Sequence, residues 1–362
     1  IAGILDQFIV EQPYDEHERS WHPKIALVAY NCPKGETRWK LWIGSRNLTR
    51  SQDLEAGVLL DGSEKRAKGR VRLPGVGALG STLARSASRE DADDISEQLE
   101  AIWWDAPDGF RLRGLLNGLD EGVPLPAGPP SGAVDGITII SPFLSPDFLK
   151  KAGNWGAAGS RALISSMPAL ADLASRSKTS LTGFSKILAY AAPDVLADES
   201  TLALPGTEPV AEDDVEPTPL ALHAKIFCFH SGEKTILRVG SANATERAWS
   251  GRNSEIMVEL EAGEAFTSGL AFLVGKATPV TIDELAVTDL GGMSAADALE
   301  ESRKALMASW DPVLHRDGEC FSIDARAVPS LAYPDHVLHA GSANGDLLLW
   351  PADAVRLGLG PI

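Results

Sequence analysis

Two stretches of this sequence repeat one another and decide the fold: WHPKIALVAYNCPKGETRWKLWIGSRNLTRSQDLEAGVLL at 21–60 and LHAKIFCFHSGEKTILRVGSANATERAWSGRNSEIMVEL at 222–260. Each copy runs His-x-Lys, apolar strand, polar turn, apolar strand, Gly-Ser-x-Asn-x-Thr, and then a Glu that opens a further strand. The His-to-Glu spacing nearly coincides, at 33 residues in the first copy and 32 in the second. An internal duplication of this kind indicates two copies of one structural unit.

Each copy is predicted to form three short strands, because apolar runs alternate with turn residues. Between the copies, strand and helix patterns alternate over 137–191, as in an α/β layer. Apolar spacings of three and four residues predict a helix within 90–104, and a stretch rich in Gly and Pro at 117–135 predicts a linker. The predicted strands of the two copies span 25–30, 39–43, 56–60, 222–229, 235–239 and 255–260.

The composition limits the functions that the chain can have. Lys and Arg number 33 against 50 Asp and Glu, which gives a net charge of −17 at pH 7. A protein that coats nucleic acid with its whole surface should be basic, so any phosphate chemistry is expected in a locally positive cleft. The cysteines Cys32, Cys228 and Cys320 are far apart and lack CxxC spacing, so we expect buried, unpaired thiols in a cytoplasmic, reducing compartment. No apolar run is long enough to cross a membrane.

The repeated side chains suit the cleavage of a phosphodiester. Residues two apart in a strand share a face, so His22 and Lys24 are expected to point the same way, as are His223 and Lys225. Two facing copies supply two imidazoles and two ammonium groups, with one imidazole able to attack phosphorus and the other to protonate the leaving oxygen. The chemistry requires no metal and no cofactor. Donors for the phosphate oxygens are expected from Ser45, Asn47, Ser241 and Asn243, and acceptors for the histidine Nδ1–H groups from Glu55 and Glu255.

His-x-Lys followed by Gly-Ser-x-Asn, twice in one chain, resembles the phospholipase D superfamily of phosphodiesterases. The resemblance covers about residues 20–260. It implies two similar α/β halves related by a pseudo-two-fold axis, sharing one active site and a covalent phosphohistidine intermediate. In that family the nucleophile usually comes from the first motif, which maps to His22 and leaves His223 as the general acid. The symmetry of the sequence does not itself distinguish these roles.

The expected domains follow from this resemblance: a first phospholipase D-like half at 1–133, a second at 134–275, and a helical and β-rich C-terminal region at 276–362. The first copy has far fewer residues before its histidine than the second, so we expect that half to be abbreviated or to lie partly outside this chain. The chain is accordingly a candidate part of a larger protein or complex.

The sequence departs from the family pattern where the family usually has an Asp five residues beyond the Lys, since Ala29 and His230 occupy these positions. That departure, with the long hairpins, resembles the nuclease and tyrosyl-DNA phosphodiesterase branches.

A basic run after the first copy favours a nucleic-acid backbone as partner, or else forms a solvated loop. Trp21 either stacks on a base or packs. An acidic stretch at 208–217 either covers the cleft or is an exposed loop. The candidate substrate-binding residues of the basic run are Lys65, Arg66 and Lys68, followed by Arg70 and Arg72.

Three functions are therefore compatible with the sequence. The first is a metal-independent phosphodiesterase, a nuclease or nucleic-acid end-processing enzyme. The second is a hydrolase or transferase for lipid or other phosphodiesters, although no amphipathic membrane-binding helix is apparent. The third is a catalytically inactive module that binds nucleic acid or serves as a scaffold.

Overall fold

The structure is a computed structural model that describes residues 19–32, 36–46, 53–130, 134–190, 222–288, 295–318, 320–341 and 347–361. The fold is mixed α/β, with one large mixed sheet and several small sheets, which confirms the predicted class. The chain divides into two compact units, one ending at Thr288 and the other beginning at Asp289. Both copies of the repeated motif lie in the first unit.

The first copy forms an antiparallel sheet of four strands in the order β2-β3-β4-β5. Alternate residues of its strands are buried, for example Leu41 and Ile43, because successive side chains of a strand point to opposite faces. Two helices, Val76–Ser86 and Ala92–Glu100, connect β4 to β5. The predicted helix within 90–104 thus ends at Glu100, and its last residues start β5. The strands are β2 (Ile25–Asn31), β3 (Thr37–Gly44), β4 (Gly57–Ser63) and β5 (Trp103–Asp105).

The second copy belongs to a sheet of nine strands in the order β1-β12-β11-β10-β7-β8-β9-β13, with β6 also paired to β12. Strands β7, β8 and β9 are parallel, as the predicted strand–helix alternation requires, and β10, β11 and β12 form an antiparallel meander. The strands are β1 (Ser20–Trp21), β6 (Phe110–Gly118), β7 (Gly136–Ile140), β8 (Arg161–Ser166), β9 (Lys186–Tyr190), β10 (Ile226–Ser231), β11 (Lys234–Gly240), β12 (Asn253–Ala262) and β13 (Thr278–Pro279).

Helices follow the strands of this sheet. Pro146–Ala152 and Met167–Ser177 make the crossovers of the parallel part, each with Pro in the first turn, where its missing N–H costs nothing. The capping box of Thr281 and Glu284 begins another helix, Ile282–Val287. The remaining helices of this unit are Glu246–Trp249 and Glu264–Lys276, with 3₁₀ turns at Ala158–Ser160 and Lys178–Ser180.

Two hydrophobic clusters lie on opposite faces of the large sheet. Phe227 and Phe229 contribute to the cluster that contains the crossover helices, whereas Cys228 contributes to the one that contains the four-stranded sheet. This alternation along β10 is the period-two pattern of a strand buried on both faces. The sheet of the first copy therefore shares a core with the sheet of the second.

Both copies form a three-stranded antiparallel meander. Among the described residues, the parallel strands β7, β8 and β9 lie beside the second copy only, and the first copy adds helices and β5 instead. The predicted linker at 117–135 starts with the end of β6. It is held by the Arg238 guanidinium, which donates to the carbonyls of Pro126 and Gly128 at 2.7 and 2.8 Å. Relation of two whole halves by a pseudo-two-fold axis remains a prediction.

The second unit has a helix, Ala295–Ser309, and two small sheets. Three antiparallel strands form one sheet in the order β14-β15-β18, and β16 pairs with β17 in the other. The prediction that all three cysteines are buried is wrong for Cys320, which begins β15 and is exposed; Cys32 is half-buried and Cys228 buried. The strands are β14 (Pro312–Asp317), β15 (Cys320–Ala325), β16 (His339–Ala340), β17 (Leu348–Leu349) and β18 (Arg356–Pro361).

No helix within the described residues is both long and apolar enough to cross a membrane.

Candidate active site

The two motif copies meet through crosswise backbone contacts. The N–H of His22 donates to the carbonyl of Ser254 at 3.1 Å, and the N–H of His223 donates to the carbonyl of Leu54 at 2.9 Å. Leu54 also forms a parallel bridge with Leu222, and β1 pairs in parallel with β12. Each His-x-Lys segment is therefore held against the residue that precedes the motif glutamate of the other copy.

These crossings correct one prediction. The second His-x-Lys segment was expected inside the strand 222–229, yet Lys225 lies just before β10, whereas in the first copy the strand was expected from 25, where β2 begins. The physical reason is that each segment leaves one sheet to pair with the other, so it cannot continue a single ladder of hydrogen bonds. Each ammonium is nevertheless held against its own motif, because Lys24 Nζ donates to the His22 carbonyl at 2.9 Å and Lys225 Nζ to the His223 carbonyl at 3.1 Å.

Glu255 joins the second copy to the histidine of the first. Its carboxylate oxygens lie 3.1 and 3.3 Å from His22 Nδ1, and it also accepts from the Ser241 hydroxyl and from Asn253 Nδ2 at 3.1 Å. The Glu255 side chain is fully buried, whereas that of His22 is 35% exposed. A carboxylate facing Nδ1 selects the tautomer that carries its proton there, which leaves Nε2 with a free lone pair.

The two lysines bring positive charge next to the backbone of the two histidines. Lys225 is 1% exposed and its Nζ donates to the Ser45 carbonyl at 2.7 Å, while Lys24 is 8% exposed. Burial lowers the pKa of both ammonium groups to about 8, and the charge of Glu255 partly opposes this effect. The positive charge of Lys24 further lowers the pKa of Lys225, so the two groups are close enough to interact. Two desolvated cations over one carboxylate make a site that attracts an anion.

His223 has a different environment from His22. Its Nδ1 is buried and has no hydrogen-bond partner among the described residues. Burial lowers the pKa of His223, and the charges of Lys225, Arg46 and Lys24 lower it further, against an opposing contribution from Asp53. The neutral imidazole is therefore favoured in the unliganded protein.

The two motif serines share a pair of backbone contacts. Ser45 donates its N–H to the Ala56 carbonyl at 2.8 Å and accepts from the Ala56 N–H at 2.9 Å. Ser241 donates to the Ile256 carbonyl at 2.9 Å and accepts from the Ile256 N–H at 3.0 Å. Both serines are buried, and in this structure they fix the residue that follows each motif glutamate; substrate binding by their hydroxyls remains a prediction.

The remaining predicted polar residues are placed as follows. Asn243 is 7% exposed, and its Oδ1 is buried without a partner among the described residues. Its carbonyl accepts from Trp249 Nε1 at 2.8 Å, which fixes its backbone. Trp249 packs in the core, whereas Trp21, next to His22, is only half-buried. Asn47 and the acidic stretch 208–217 lie outside the described residues.

Glu55 does not repeat the contact of Glu255. Its carboxylate lies 3.5 Å from Arg46 Nη1, and the same guanidinium pairs with Asp53. The prediction that each motif glutamate accepts from a histidine Nδ1–H is therefore met by Glu255 alone. Arg46 was not among the predicted site residues, although its charge inside Gly-Ser-x-Asn, where the other copy has Ala242, distinguished it in the sequence.

Phe143 is a second residue that the sequence analysis did not select. Its side chain is 57% exposed, and its ring meets His223 edge-on, with centroids 6.5 Å apart and an interplanar angle of 82°. The loop that carries it is fixed, because the Ser141 hydroxyl donates to the Phe143 carbonyl at 2.8 Å and accepts from the Ala244 N–H at 2.9 Å. An exposed aromatic ring, on a loop whose backbone is hydrogen-bonded, thus lies beside one of the two histidines.

The basic run lies away from these residues. It follows the end of β4 that is opposite to Glu55, and a strand of this length spans about 20 Å. Lys65 pairs with Glu36 at 2.9 Å, Arg66 lies over the Trp103 ring at 5.1 Å, and Lys68 is exposed. The structure therefore does not bring Lys65, Arg66 and Lys68 to the histidines. A backbone contact by them would have to be made by a distant part of a long substrate.

Comparison with known proteins adds no relative to these observations. No protein-family model matches the chain, and no curated protein matches it.

Proposed function

We propose that the protein is a metal-independent phosphodiesterase of the phospholipase D type that acts on nucleic acid. The observation that carries the proposal is the crosswise assembly of the two motif copies. His22 of the first copy is paired with Glu255 of the second, and Lys225 of the second donates to Ser45 of the first. The His22 imidazole, both ammonium groups and the backbone of His223 thus belong to one network, and both histidines remain partly open to solvent.

In the proposed first step, His22 Nε2 attacks phosphorus while its Nδ1–H stays on the Glu255 carboxylate. The bond between phosphorus and the leaving oxygen breaks, and this oxygen takes a proton from His223. Lys24, Lys225 and Asn243 hold the non-bridging oxygens as negative charge develops on them. The product of this step is a phosphoryl group bonded to His22.

In the second step, His223 accepts a proton from water as the water oxygen attacks phosphorus. The bond between phosphorus and His22 breaks, and the imidazole returns to its starting tautomer. The lowered pKa of His223 suits both steps, because such a group releases its proton readily and is then neutral and able to accept one. A bound phosphate anion counteracts the neighbouring cations that lower this pKa.

The proposal is tested with three substrates in the presence of EDTA: bis(p-nitrophenyl) phosphate, single-stranded DNA and a phospholipid. We expect turnover of the first two. Preferential cleavage of the phospholipid would instead favour a hydrolase or transferase that acts on lipid phosphodiesters. Binding of DNA without turnover of any substrate would favour an inactive binding module, and activity only after addition of a divalent metal would contradict the proposed mechanism.

The pKa values of the two lysines predict how anion affinity depends on pH. Below pH 8 both ammonium groups are charged, and above it they lose their protons, so affinity for an oxyanion should fall as pH rises through 8. If both lysines hold the anion, the loss approaches about 100-fold per pH unit at high pH, since each lysine contributes up to about tenfold. Direct binding of tungstate, an oxyanion that does not titrate in this range, provides the measurement between pH 6 and 10.

Two variants make this measurement specific. Lys24→Met should weaken tungstate binding at pH 7 and reduce the steepness of its pH dependence to that of one lysine. Lys65→Met removes a 75% exposed ammonium from the basic run and should change neither quantity. An affinity that is flat through pH 8 would contradict the assignment of the buried lysines as anion ligands.

Phe143 lies beside His223, the proposed proton donor to the leaving oxygen. Its ring can therefore stack on a planar group, such as a base, on the leaving side of the substrate. Stacking of a base on an aromatic ring contributes about 1–3 kcal/mol. We therefore expect an oligonucleotide with an abasic site immediately on the leaving side to have a kcat/KM roughly 5–150-fold lower than its base-containing counterpart. The chemistry at phosphorus is the same in both.

Phe143→Ala should remove most of this discrimination, and Phe143→Trp should keep it. The matched control is Phe272→Ala, which deletes another exposed phenylalanine, from the helix Glu264–Lys276. Equal kcat/KM values for the two substrates with the unaltered protein would exclude a role for Phe143 in base recognition.

A further inference from the structure

The two motif copies differ at a pair of positions beside their glutamates. Where the second copy has Ala242 between its Ser and Asn, the first has Arg46. Two residues before the glutamate, the second copy has Asn253 and the first has Asp53. An alanine and an amide in one copy are thus replaced by a guanidinium and a carboxylate in the other.

In the second copy these residues leave the carboxylate free for a histidine. Asn253 Nδ2 donates to one oxygen of Glu255 at 3.1 Å, and Ala242 has no polar side chain. Glu255 therefore has acceptor capacity for His22 Nδ1 as well as for the Ser241 hydroxyl.

In the first copy, the residue at the position of Ala242 is Arg46, and its guanidinium interacts with the Glu55 carboxylate. Arg46 Nη1 pairs with Asp53 and lies 3.5 Å from Glu55, with the Arg46 and Asp53 side chains only 20% and 17% exposed. The Nδ1 of His223, although buried, has no partner among the described residues. The N–H of His223 nevertheless donates to the carbonyl of Leu54, the residue before Glu55. The two motif segments are therefore neighbours, and the lack of a contact between His223 Nδ1 and Glu55 is not explained by their being far apart.

We propose that Arg46 is a positioning residue that withholds Glu55 from His223 and so makes the two histidines unequal. This inference rests on the proposed function and deepens it. His22 keeps a carboxylate partner that fixes its tautomer, as a nucleophile requires. His223 lacks one, so its imidazole can alternate between proton donor and proton acceptor in successive steps.

The charged groups around His223 define what removal of Arg46 should do. Lys225, Arg46 and Lys24 disfavour the imidazolium, whereas Asp53 favours it. Arg46→Ala deletes one of the cations and frees Glu55 to accept from Nδ1–H. Both changes raise the pKa of His223, and an opposite charge at hydrogen-bond distance typically moves a pKa by about 1–3 units.

The test is an NMR titration of the histidine rings in the whole chain, with the His223 resonance assigned by its absence in His223→Gln. In Arg46→Ala we expect the pKa of His223 to rise by about one unit or more. The double variant Arg46→Ala/Asp53→Asn installs the residues of the second copy and should also raise it, by less, because the carboxylate of Asp53 is lost too. Arg85→Ala, which breaks an exposed pair with Asp93, is the control and should leave the value unchanged.

The titration does not depend on turnover, so failure of the inference can be separated from failure of the proposed function. A raised pKa in an inactive protein would support the role of Arg46 and exclude the phosphodiesterase. An unchanged pKa in a variant with native circular dichroism would overturn the inference, even if the protein cleaves DNA. Failure of both variants to fold would also overturn it, since Arg46 would then act only in stability. In an active protein, the alkaline limb of the kcat/KM profile, which reports protonated His223 of the free enzyme in the first step, should move up in pH together with the measured pKa.

Discussion

His223→Ala is expected to stop the reaction halfway, with the phosphoryl group left on His22. With bis(p-nitrophenyl) phosphate the departing nitrophenolate needs no proton, so the attack by His22 can proceed without a general acid. Water attack in the second step then lacks its base. We expect a burst of about one nitrophenolate per protein and an intact-mass increase equal to one nitrophenyl phosphoryl group, located on the peptide that contains His22.

The reciprocal variant separates the two roles. His22→Ala should show no burst and no adduct, with kcat lower by about 10⁴-fold or more. His315→Ala, which removes an exposed histidine of the second unit, should behave like the unaltered protein. An adduct on His223 in the His22→Ala variant would reverse the assignment of nucleophile and acid. An unaffected kcat in both variants would contradict the reaction altogether.

Glu255→Ala is expected to affect stability and activity together. The carboxylate is fully buried, and its charge supports both Lys24 and Lys225. Removing one partner from a buried charged cluster leaves uncompensated cations and costs about 3–5 kcal/mol. Hydrogen exchange of the β12 amides measures this loss locally, without requiring the two units of the chain to unfold together.

The first copy provides a matched control for this experiment. The Glu55 side chain is 33% exposed and lies 3.5 Å from Arg46, so Glu55→Ala should cost no more than about 1 kcal/mol. The conservative change Glu255→Gln keeps the shape but not the charge. Its kcat should fall by about 10³-fold or more, since the corresponding change in a Ser-His-Asp triad costs about 10⁴-fold through the wrong tautomer. Equal effects of the Glu55 and Glu255 variants would contradict the difference between the copies.

Much of the secondary structure could be predicted because it is encoded locally. Alternation of apolar residues located β3 and β11 within two residues at each end. The strand expected from 222 failed over its first four residues, because Leu222 pairs with Leu54 of the other sheet. The periodicity of apolar residues around Leu222 carries no information about a partner that lies 168 positions away in the sequence.

The candidate site was predictable to the same degree. The duplication identified the residues that the crosswise contacts bring together, because the matched spacing of the two motif copies can be seen in the sequence without knowing how the strands pair. The difference between Glu55 and Glu255 was not predictable from spacing, because it depends on which side chain reaches each carboxylate. Phe143 was missed for a related reason: it lies 80 residues before His223, and only the tertiary contact of its loop with the segment after Asn243 makes it a neighbour.

The crosswise arrangement has a consequence for the growing chain. Synthesis proceeds from the N-terminus, so a growing chain carries His22 and Lys24 long before Glu255 is added, 233 positions later. Until then the His22 imidazole lacks the carboxylate that faces its Nδ1 in the folded protein. Under the proposed mechanism, a nascent chain should therefore be inactive until the second motif copy has been made and has folded against the first.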